Sequence, residues 1–214
     1  PEVFVPGSEP VGADEIRVTI LGSGLPWVTK AQAAGSVLME VGNPQQDVFV
    51  FDLGSGALAN FSGLLIPPSR LDKVFLSHLH ADHVGDFLTL MGGYAKLGRK
   101  GPVELWGGGA EDDRRGTAAF AAAVDGALAW AYASMRGSVP RSVRTTVATE
   151  VPFDRPAFVY DRAGVTISSF PVLHGLAGAV GYRLEFAGAS VVFSGDTRPS
   201  RSVVEAAQGC DLLI

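Results

Sequence analysis

The segment at residues 77–83, with the sequence SHLHADH, constrains this chain more than any other, because it holds three of the chain's four histidines. It directly follows the apolar run 71–76, which predicts a strand that ends where the segment begins. Imidazole and carboxylate groups are the ligands that zinc, iron and manganese ions prefer in proteins. A polar loop whose aspartate caps a helix is the plainer alternative, but it gives this density of histidines no purpose. The segment therefore predicts a metal site at the end of a strand.

The spacing inside the segment favours two metal ions over one. His78 and His80 are two positions apart, so on an extended chain their side chains point to the same side. Asp82 and His83 are adjacent and need a turn, which lets them face a second point in space. We therefore expect two ions side by side, with the ligands divided between them.

Three further side chains are candidates for the same site. His174 follows a predicted strand at 165–170, although a lone histidine in such a position is usually structural. Asp196 follows a predicted strand at 190–193 beside a glycine, from where it either reaches a cleft or caps the next helix. Asp52 is expected to brace the metal loop and not to bind an ion.

Periodicity and turn residues predict an alternation of strands and helices along the chain. Strands are predicted at 16–21, 36–41, 47–53, 71–76, 103–106, 145–153, 157–160, 165–170, 180–186, 190–193 and 211–214. Helices are predicted at 57–65, 86–97, 110–136 and 202–208.

The alanine-rich stretch 110–136 is predicted as one helix with an apolar ridge along one side. Trp130 lies off that ridge, so we expect the helix to be buried on two sides; contact with a substrate or a partner subunit is the alternative. Arg136, Arg141 and Arg144 follow it, either as a solvated loop or as a collar for an anionic group.

The motif HxHxDH at 78–83, directly after an apolar strand, resembles that of the metallo-β-lactamase fold hydrolases. FDLG at 51–54 and SGDT at 194–197 are similar to the ribonuclease Z and arylsulfatase-like branch of those proteins. The resemblance extends over residues 16–214. It implies an α/β fold, a four-layer αββα sandwich of two mixed β-sheets flanked by helices.

The resemblance also implies how the chain is divided. Residues 1–15, which contain several prolines and glycines, are expected to form an N-terminal arm or linker. Residues 16–214 are expected to form one metallo-β-lactamase-like domain with a helical insertion near 107–150. Such proteins usually continue with a His-Glu pair and a last histidine for the second metal, so a C-terminal part is expected beyond residue 214.

A set of metal ligands is implied by the same resemblance. The six implied ligands are His78, His80 and His174 for the first ion, Asp82 and His83 for the second, and Asp196 between both. Asp82 is also the expected catalytic residue, which orients the attacking hydroxide or accepts its proton. Zinc, two ions per chain, is the first choice, and manganese or iron suits the same ligands. The loop at 22–26 is either a simple turn or, as the resemblance implies, part of the mouth of the site.

These ligands favour a metal-dependent hydrolase that uses a metal-activated hydroxide on an ester: a phosphodiester, a sulfate ester or a lactone. Two alternatives stay open, a mononuclear iron oxidoreductase of the same fold and a metal-binding protein without activity. The substrate-binding residues are unknown at this stage, because substrate choice depends on the loops over the cleft and not on the metal ligands.

Composition bears on partners and on location. Net charge is -5, which argues against nucleic acid and in favour of a small anionic or ester substrate. No apolar run approaches the roughly 20 residues of a membrane span. Cys210 is the single cysteine, so no internal disulfide forms, and it is expected to be buried. A homodimer stays open, as do a cytoplasmic location and export after removal of a signal peptide.

Overall fold

A computed structural model describes residues 9–27 and 29–214 of the chain. Most of the predicted N-terminal arm, residues 1–8, lies outside the described residues, and residues 9–15 lead into the first strand without a helix or strand of their own. The strands form two sheets. Their bounds are β1 Ile16–Gly22, β2 Ser36–Val41, β3 Val48–Phe51, β4 Lys73–Leu76, β5 Val103–Gly108, β6 Thr146–Val151, β7 Ala157–Arg162, β8 Val165–Pro171, β9 Val180–Phe186, β10 Ala189–Phe193 and β11 Leu212–Leu213. The helices are α1 Ala57–Phe61, α2 Ala81–Val84, α3 Phe87–Gly92, α4 Thr117–Ala127, α5 Ala129–Ser134 and α6 Arg201–Ala206.

The first sheet has six strands in the order β1-β2-β3-β4-β5-β6. Its first three strands pair antiparallel, and β3 to β6 pair parallel. The parallel strands β3, β4 and β5 therefore all end at the same edge of the sheet. The 77–83 segment begins at that edge, directly after β4.

The second sheet has five strands in the order β11-β10-β9-β8-β7. Its pairs are antiparallel except for β10 with β11, which run parallel. Both sheets are therefore mixed, as the sequence predicts. His174 follows β8 and Asp196 follows β10, so this sheet brings its two candidate residues to one edge.

Alternation along the strands builds a separate core on each face of the sheets. Val50 and Val74 face the helices α1, α3 and α4 in one cluster, whereas Phe51 and Phe75 face the second sheet in another. A third apolar cluster lies between the second sheet and α6 and contains Phe170. Side chains of successive residues point to opposite faces of a strand, so the valine-phenylalanine alternation dictates this layering. The four-layer αββα sandwich is confirmed.

Residues 109–145 connect the parallel strands β5 and β6, a pairing that always requires a long crossover. The predicted single helix is divided into α4 and α5 at Leu128, which is buried against Gly92 of α3. The expected burial of Trp130 is wrong, because its side chain is 82% exposed. Among the described residues, α5 packs on the core clusters through Ala131 and Tyr132, and Trp130 belongs to none of these clusters. That residues 107–150 are an insertion relative to related proteins stays a prediction.

Several other helices are shorter than predicted, and Cys210 is half-buried against the α6 cluster instead of fully enclosed. Within the two described ranges, the helices are all too short to cross a membrane.

Candidate metal centre

Three imidazole rings meet where the two sheets come together at their loop edges. His78 Nε2 lies 2.9 Å from His80 Nδ1, and His174 Nε2 lies 3.2 Å from the same nitrogen. The ligand nitrogens of all three lie within 4.8 Å of one another. His174 is thus brought from 94 residues away to the loop that follows β4, as the sequence predicts.

These three nitrogens fit a metal ion better than they fit one another. A neutral imidazole nitrogen either donates one hydrogen bond or accepts one, so three that converge are not all satisfied mutually. Ligand nitrogens at about 2.0–2.1 Å around a tetrahedral zinc ion lie roughly 3.3 Å apart. The spacing of the His80 nitrogen from its two neighbours is close to that value, so the donor set suits a divalent cation.

A second group lies beside the first and contains two carboxylates. His83 Nε2 is 3.5 Å from Asp82 Oδ2 and 3.5 Å from Asp196 Oδ1. The other oxygen of Asp196 lies 3.8 Å from His174 Nε2. One carboxylate therefore faces both groups, with one oxygen toward each.

Asp52 supports this arrangement from beneath and is fully buried. It accepts hydrogen bonds from the backbone N–H of Ser77 at 2.7 Å and from the Ser77 hydroxyl at 2.6 Å. His83 Nδ1 lies 2.6 Å from Asp52 Oδ2. With its oxygens engaged in this way, Asp52 fixes the orientation of His83 and leaves Nε2 free, which agrees with the predicted bracing role.

The protonation of the buried groups follows from these contacts. Burial alone would lower the pKa of His83, but the hydrogen bond and the charge of Asp52 outweigh it, so the pKa is raised. Burial raises the pKa of Asp52 against the opposing effect of its hydrogen bonds. Because both pKa values are raised, one proton is retained between His83 Nδ1 and the Asp52 carboxylate. Burial, with repulsion from the neighbouring histidines, lowers the pKa of His78 to about 3, which keeps that ring neutral.

Ser77 is a site residue that sequence reasoning missed. Its hydroxyl donates to Asp52 and lies 3.0 Å from His78 Nδ1, so it connects the brace to the first histidine. A small side chain is needed there, since Gly195 packs directly against it. A Cβ added to Gly195 would lie 2.5 Å from the Ser77 Cβ, and Gly195 has a φ of +57°. The glycine beside Asp196 therefore allows the two sheets to approach.

The histidines open into a cleft of about 400 Å³. Its far wall comes from the turn after β5, including Glu111, Asp112 and Arg115, and from the loop 175–178. Arg115 Nε lies 3.5 Å from Asp112 Oδ2. No periodicity or motif in the sequence predicts this wall. The loop at 22–26 is not among the described residues that line this cleft. It packs on Ala33 instead.

The structure brings together every side chain that the sequence assigned to the site, and it places Asp52 beneath them. These side chains are His78, His80, Asp82, His83, His174 and Asp196. Their contacts join residues more than a hundred positions apart in the chain. That each of them binds a metal ion stays a prediction.

A family profile described as a Beta-lactamase superfamily domain matches residues 49–214. With this match, this fold and this site, the chain belongs to the metallo-β-lactamase superfamily and is a metal-dependent hydrolase. It is similar to the ribonuclease Z of Mycobacterium avium (strain 104), with 33% identity over 201 residues, 93% of this chain and 69% of that protein. The resemblance to the ribonuclease Z branch is therefore confirmed.

Solved structures show the same fold. The metallo-β-lactamase fold protein YhfI from Bacillus subtilis has a TM-score of 0.67 at 20% identity, over 92% of this chain and 69% of that chain. The short form of human tRNase Z has a TM-score of 0.66 at 19% identity, over 92% of this chain and 75% of that chain.

The expectation that nucleic acid is not a partner is wrong, and so is the preference for a small molecule that followed from it. The relative that matches 93% of the chain at 33% identity is named as a ribonuclease. Net charge is a sum over the whole chain and does not describe the cleft, whose far wall carries Arg115 together with the carboxylates of Glu111 and Asp112.

Proposed function

We propose that this chain is a phosphodiesterase that cleaves RNA at a centre of two zinc ions. The observation that carries the proposal is the position of Asp196, whose two oxygens face His83 on one side and His174 on the other. A carboxylate so placed suits a bridge between two ions, and paired ions are typical of enzymes that cleave phosphodiesters. The similarity to ribonuclease Z supports RNA as the substrate class.

The proposed ligands divide as the geometry does. Nitrogens of His78, His80 and His174 would hold one ion, and Asp82 and His83 would hold the other, with Asp196 available to both. Nitrogen and carboxylate ligands in a hydrolase favour zinc, and manganese suits the same set. Bound there, the ions would supply Lewis-acid activation of a water molecule and of the phosphodiester.

The protein's own groups would position and accept protons. Asp82 is buried beside His83 Nε2, 3.5 Å from its Oδ2, and its carboxylate would face a water molecule held between the two groups. We infer that it orients that water and accepts its proton. Asp52 holds the His83 Nδ1 proton, so that Nε2 stays a lone-pair donor throughout.

The cleft wall would bind the phosphate being cleaved. In the part of the chain that the structure describes, Arg115 has one ion-pair partner, Asp112, whose Oδ2 lies 3.5 Å from Nε, and the other N–H groups of the guanidinium would be available to an anion. Arginine matches the geometry of a phosphate better than lysine does. Gly108 and Gly178 pack so closely that a Cβ on Gly108 would lie 1.8 Å from the Gly178 carbonyl oxygen, which closes the end of the cleft.

Metal analysis combined with two substrates tests this proposal. Purified protein should contain two zinc ions per chain, cleave bis(p-nitrophenyl) phosphate and cleave a tRNA transcript extended at both ends. His80→Ala and Asp196→Asn should each lose at least about 100-fold in rate, because each loses a group that faces the cations. Asp154→Asn is the matched control, since Asp154 is an exposed carboxylate whose ion-pair partner is Arg155.

Full activity in His80→Ala would contradict the proposal. Hydrolysis of p-nitrophenyl sulfate or of a lactone, without hydrolysis of either phosphodiester, would contradict it as well. One iron per chain in place of zinc would favour the oxidoreductase alternative.

A further inference from the structure

Arg99 is a buried cation that the hydrolytic site does not use. It lies between α3 and β5, and it is only 5% exposed. Its Nη2 donates to the Val143 carbonyl oxygen at 2.7 Å, but Nε and Nη1 are buried and have no hydrogen-bond partner among the described residues. A guanidinium that is removed from water needs acceptors for all of its N–H groups.

Two neighbouring side chains on α5 and the turn before β6 show the same deficit. The Tyr132 hydroxyl and Arg144 Nε are also buried without a partner. Arg144 Nη1 donates to the Tyr132 carbonyl oxygen at 2.8 Å, and its guanidinium lies 5.8 Å from the centre of the Tyr132 ring. The three unpartnered nitrogens are all donors, so what this region lacks is an acceptor.

The two guanidinium groups also lack a carboxylate in direct contact, although Asp125 lines the larger cleft. No carboxylate of the described residues lies within 4.0 Å of the nitrogens of Arg99 or Arg144, and the nearby Asp72 pairs with Lys73 at 2.9 Å. Burial lowers the pKa of Arg99, against the opposing influence of Tyr132 and Asp72. Water would satisfy the N–H groups but would leave the two charges uncompensated. An oxyanion would satisfy both requirements.

Space for an anion is present on both sides of these residues. Arg99 lines a cleft of about 350 Å³ together with Lys96 and Ser138. Tyr132 and Arg144 line a second cleft of about 610 Å³, which Arg136, Arg141 and the carboxylate of Asp125 share. Cations outnumber carboxylates in both clefts.

This region is remote from the metal centre. Arg99 precedes β5, whereas the metal loop and the cleft wall follow the ends of the parallel strands β4 and β5. Six residues of β5 span about 20 Å at roughly 3.3 Å per residue. The two sites therefore lie at opposite edges of the first sheet.

We propose that Arg99 and Lys96, which share the smaller cleft, form a second binding site that takes a phosphate group, with Arg144 and Tyr132 as the neighbours that add positive charge and a hydroxyl donor. Of the two roles that the sequence leaves open for the arginines after the alanine-rich helix, this one corresponds to the anion collar. The proposal does not depend on the substrate of the metal centre.

Calorimetric titration of the zinc-loaded protein with inorganic phosphate tests the site. Wild-type protein should show a binding event that Arg99→Gln weakens at least tenfold, while the rate on bis(p-nitrophenyl) phosphate stays within twofold. Phosphate that binds at the zinc centre is common to both proteins and cancels in the comparison. Arg201→Gln is the control, because Arg201 is 90% exposed on α6.

The source of the phosphate is distinguished by a second ligand. If a 5′-phosphorylated oligoribonucleotide binds in an Arg99-dependent way and its unphosphorylated form does not, the site takes nucleic acid ends; if only inorganic phosphate binds so, it takes the free ion. Should Arg99→Gln not fold, Lys96→Gln replaces it, since Lys96 is exposed. Titrations that are identical in wild-type and variant protein, or a crystal grown in phosphate with only water at Arg99, would overturn the proposal.

Discussion

Replacing Asp52 by asparagine removes the negative charge of the residue that supports the metal loop, while the shape of the side chain is kept. Asp52 has a φ of +57°, a left-handed conformation that asparagine also tolerates, so the backbone should keep its course. The amide oxygen still accepts the Ser77 backbone N–H that now lies 2.7 Å away. The amide nitrogen takes the place of Oδ2 and faces two groups. The Ser77 hydroxyl can rotate and accept a hydrogen bond from it, whereas the protonated Nδ1 of His83 cannot accept one.

The conflict at His83 sets the size of the effect. Two N–H donors would meet at 2.6 Å, so the ring either turns away or moves its proton to Nε2, the nitrogen that faces Asp82 and Asp196. In both cases the metal ligand is lost or displaced. Partners behind a metal ligand typically contribute 10- to 100-fold in affinity, or about 1.4–2.8 kcal/mol. That range agrees with roughly 1.5–3 kcal/mol for a hydrogen bond to a charged group.

We therefore expect Asp52→Asn to bind the second zinc ion about 10- to 100-fold more weakly and to lose activity in proportion at limiting zinc. Competition with a chromogenic chelator measures the affinity, and circular dichroism checks the fold. Ser36→Ala is the matched control: its buried hydroxyl donates to the Asp52 backbone carbonyl and leaves the carboxylate untouched. Wild-type affinity for both ions in Asp52→Asn would refute the bracing role.

Three further outcomes are expected. Gly195→Ala should destabilise the protein by about 1–3 kcal/mol and reduce activity, because the added Cβ meets Ser77. Gly188→Ala is the control: Gly188 has a φ of +87° with open space around it, so its loss of stability in thermal unfolding measures the backbone strain alone. Trp130→Ser should change the free energy of unfolding by less than about 0.5 kcal/mol, since the side chain is exposed; a larger loss would mean that it packs. Activity should disappear with a chelator and return with zinc, and activity that persists without metal would contradict the proposed centre.

The layering of the fold was accessible from the sequence because period-two alternation states which face of a strand is buried. Phe49 and Phe51 alternate with Val48 and Val50, and the two sets lie in different cores. Helix ends were less accessible. Leu128, where the helix is interrupted, packs against Gly92, and a tertiary contact of this kind is not visible in the sequence.

The candidate site, like the fold, could be predicted from the sequence only in part. Ligand residues could be named because histidine and aspartate are rarely clustered without a reason, and Asp52 because it ends a strand beside the metal loop. Ser77 escaped notice because a serine hydroxyl is common in loops and only its partners reveal its role. The cleft wall escaped because the crossover between β5 and β6 brings Arg115 to the cleft of the histidines only in the folded chain.

The error about nucleic acid has a physical source that also bears on the mechanism. The net charge of -5 counts Asp52, Asp82 and Asp196 as ionised carboxylates without a bound cation, although all three lie at the metal centre. Two divalent ions, as proposed there, carry four positive charges and would offset most of that balance. An electrostatic argument that omits the ions therefore assigns the wrong sign to the surface that a phosphodiester meets first. It follows that binding of RNA should weaken when the ions are removed, even at constant pH and ionic strength.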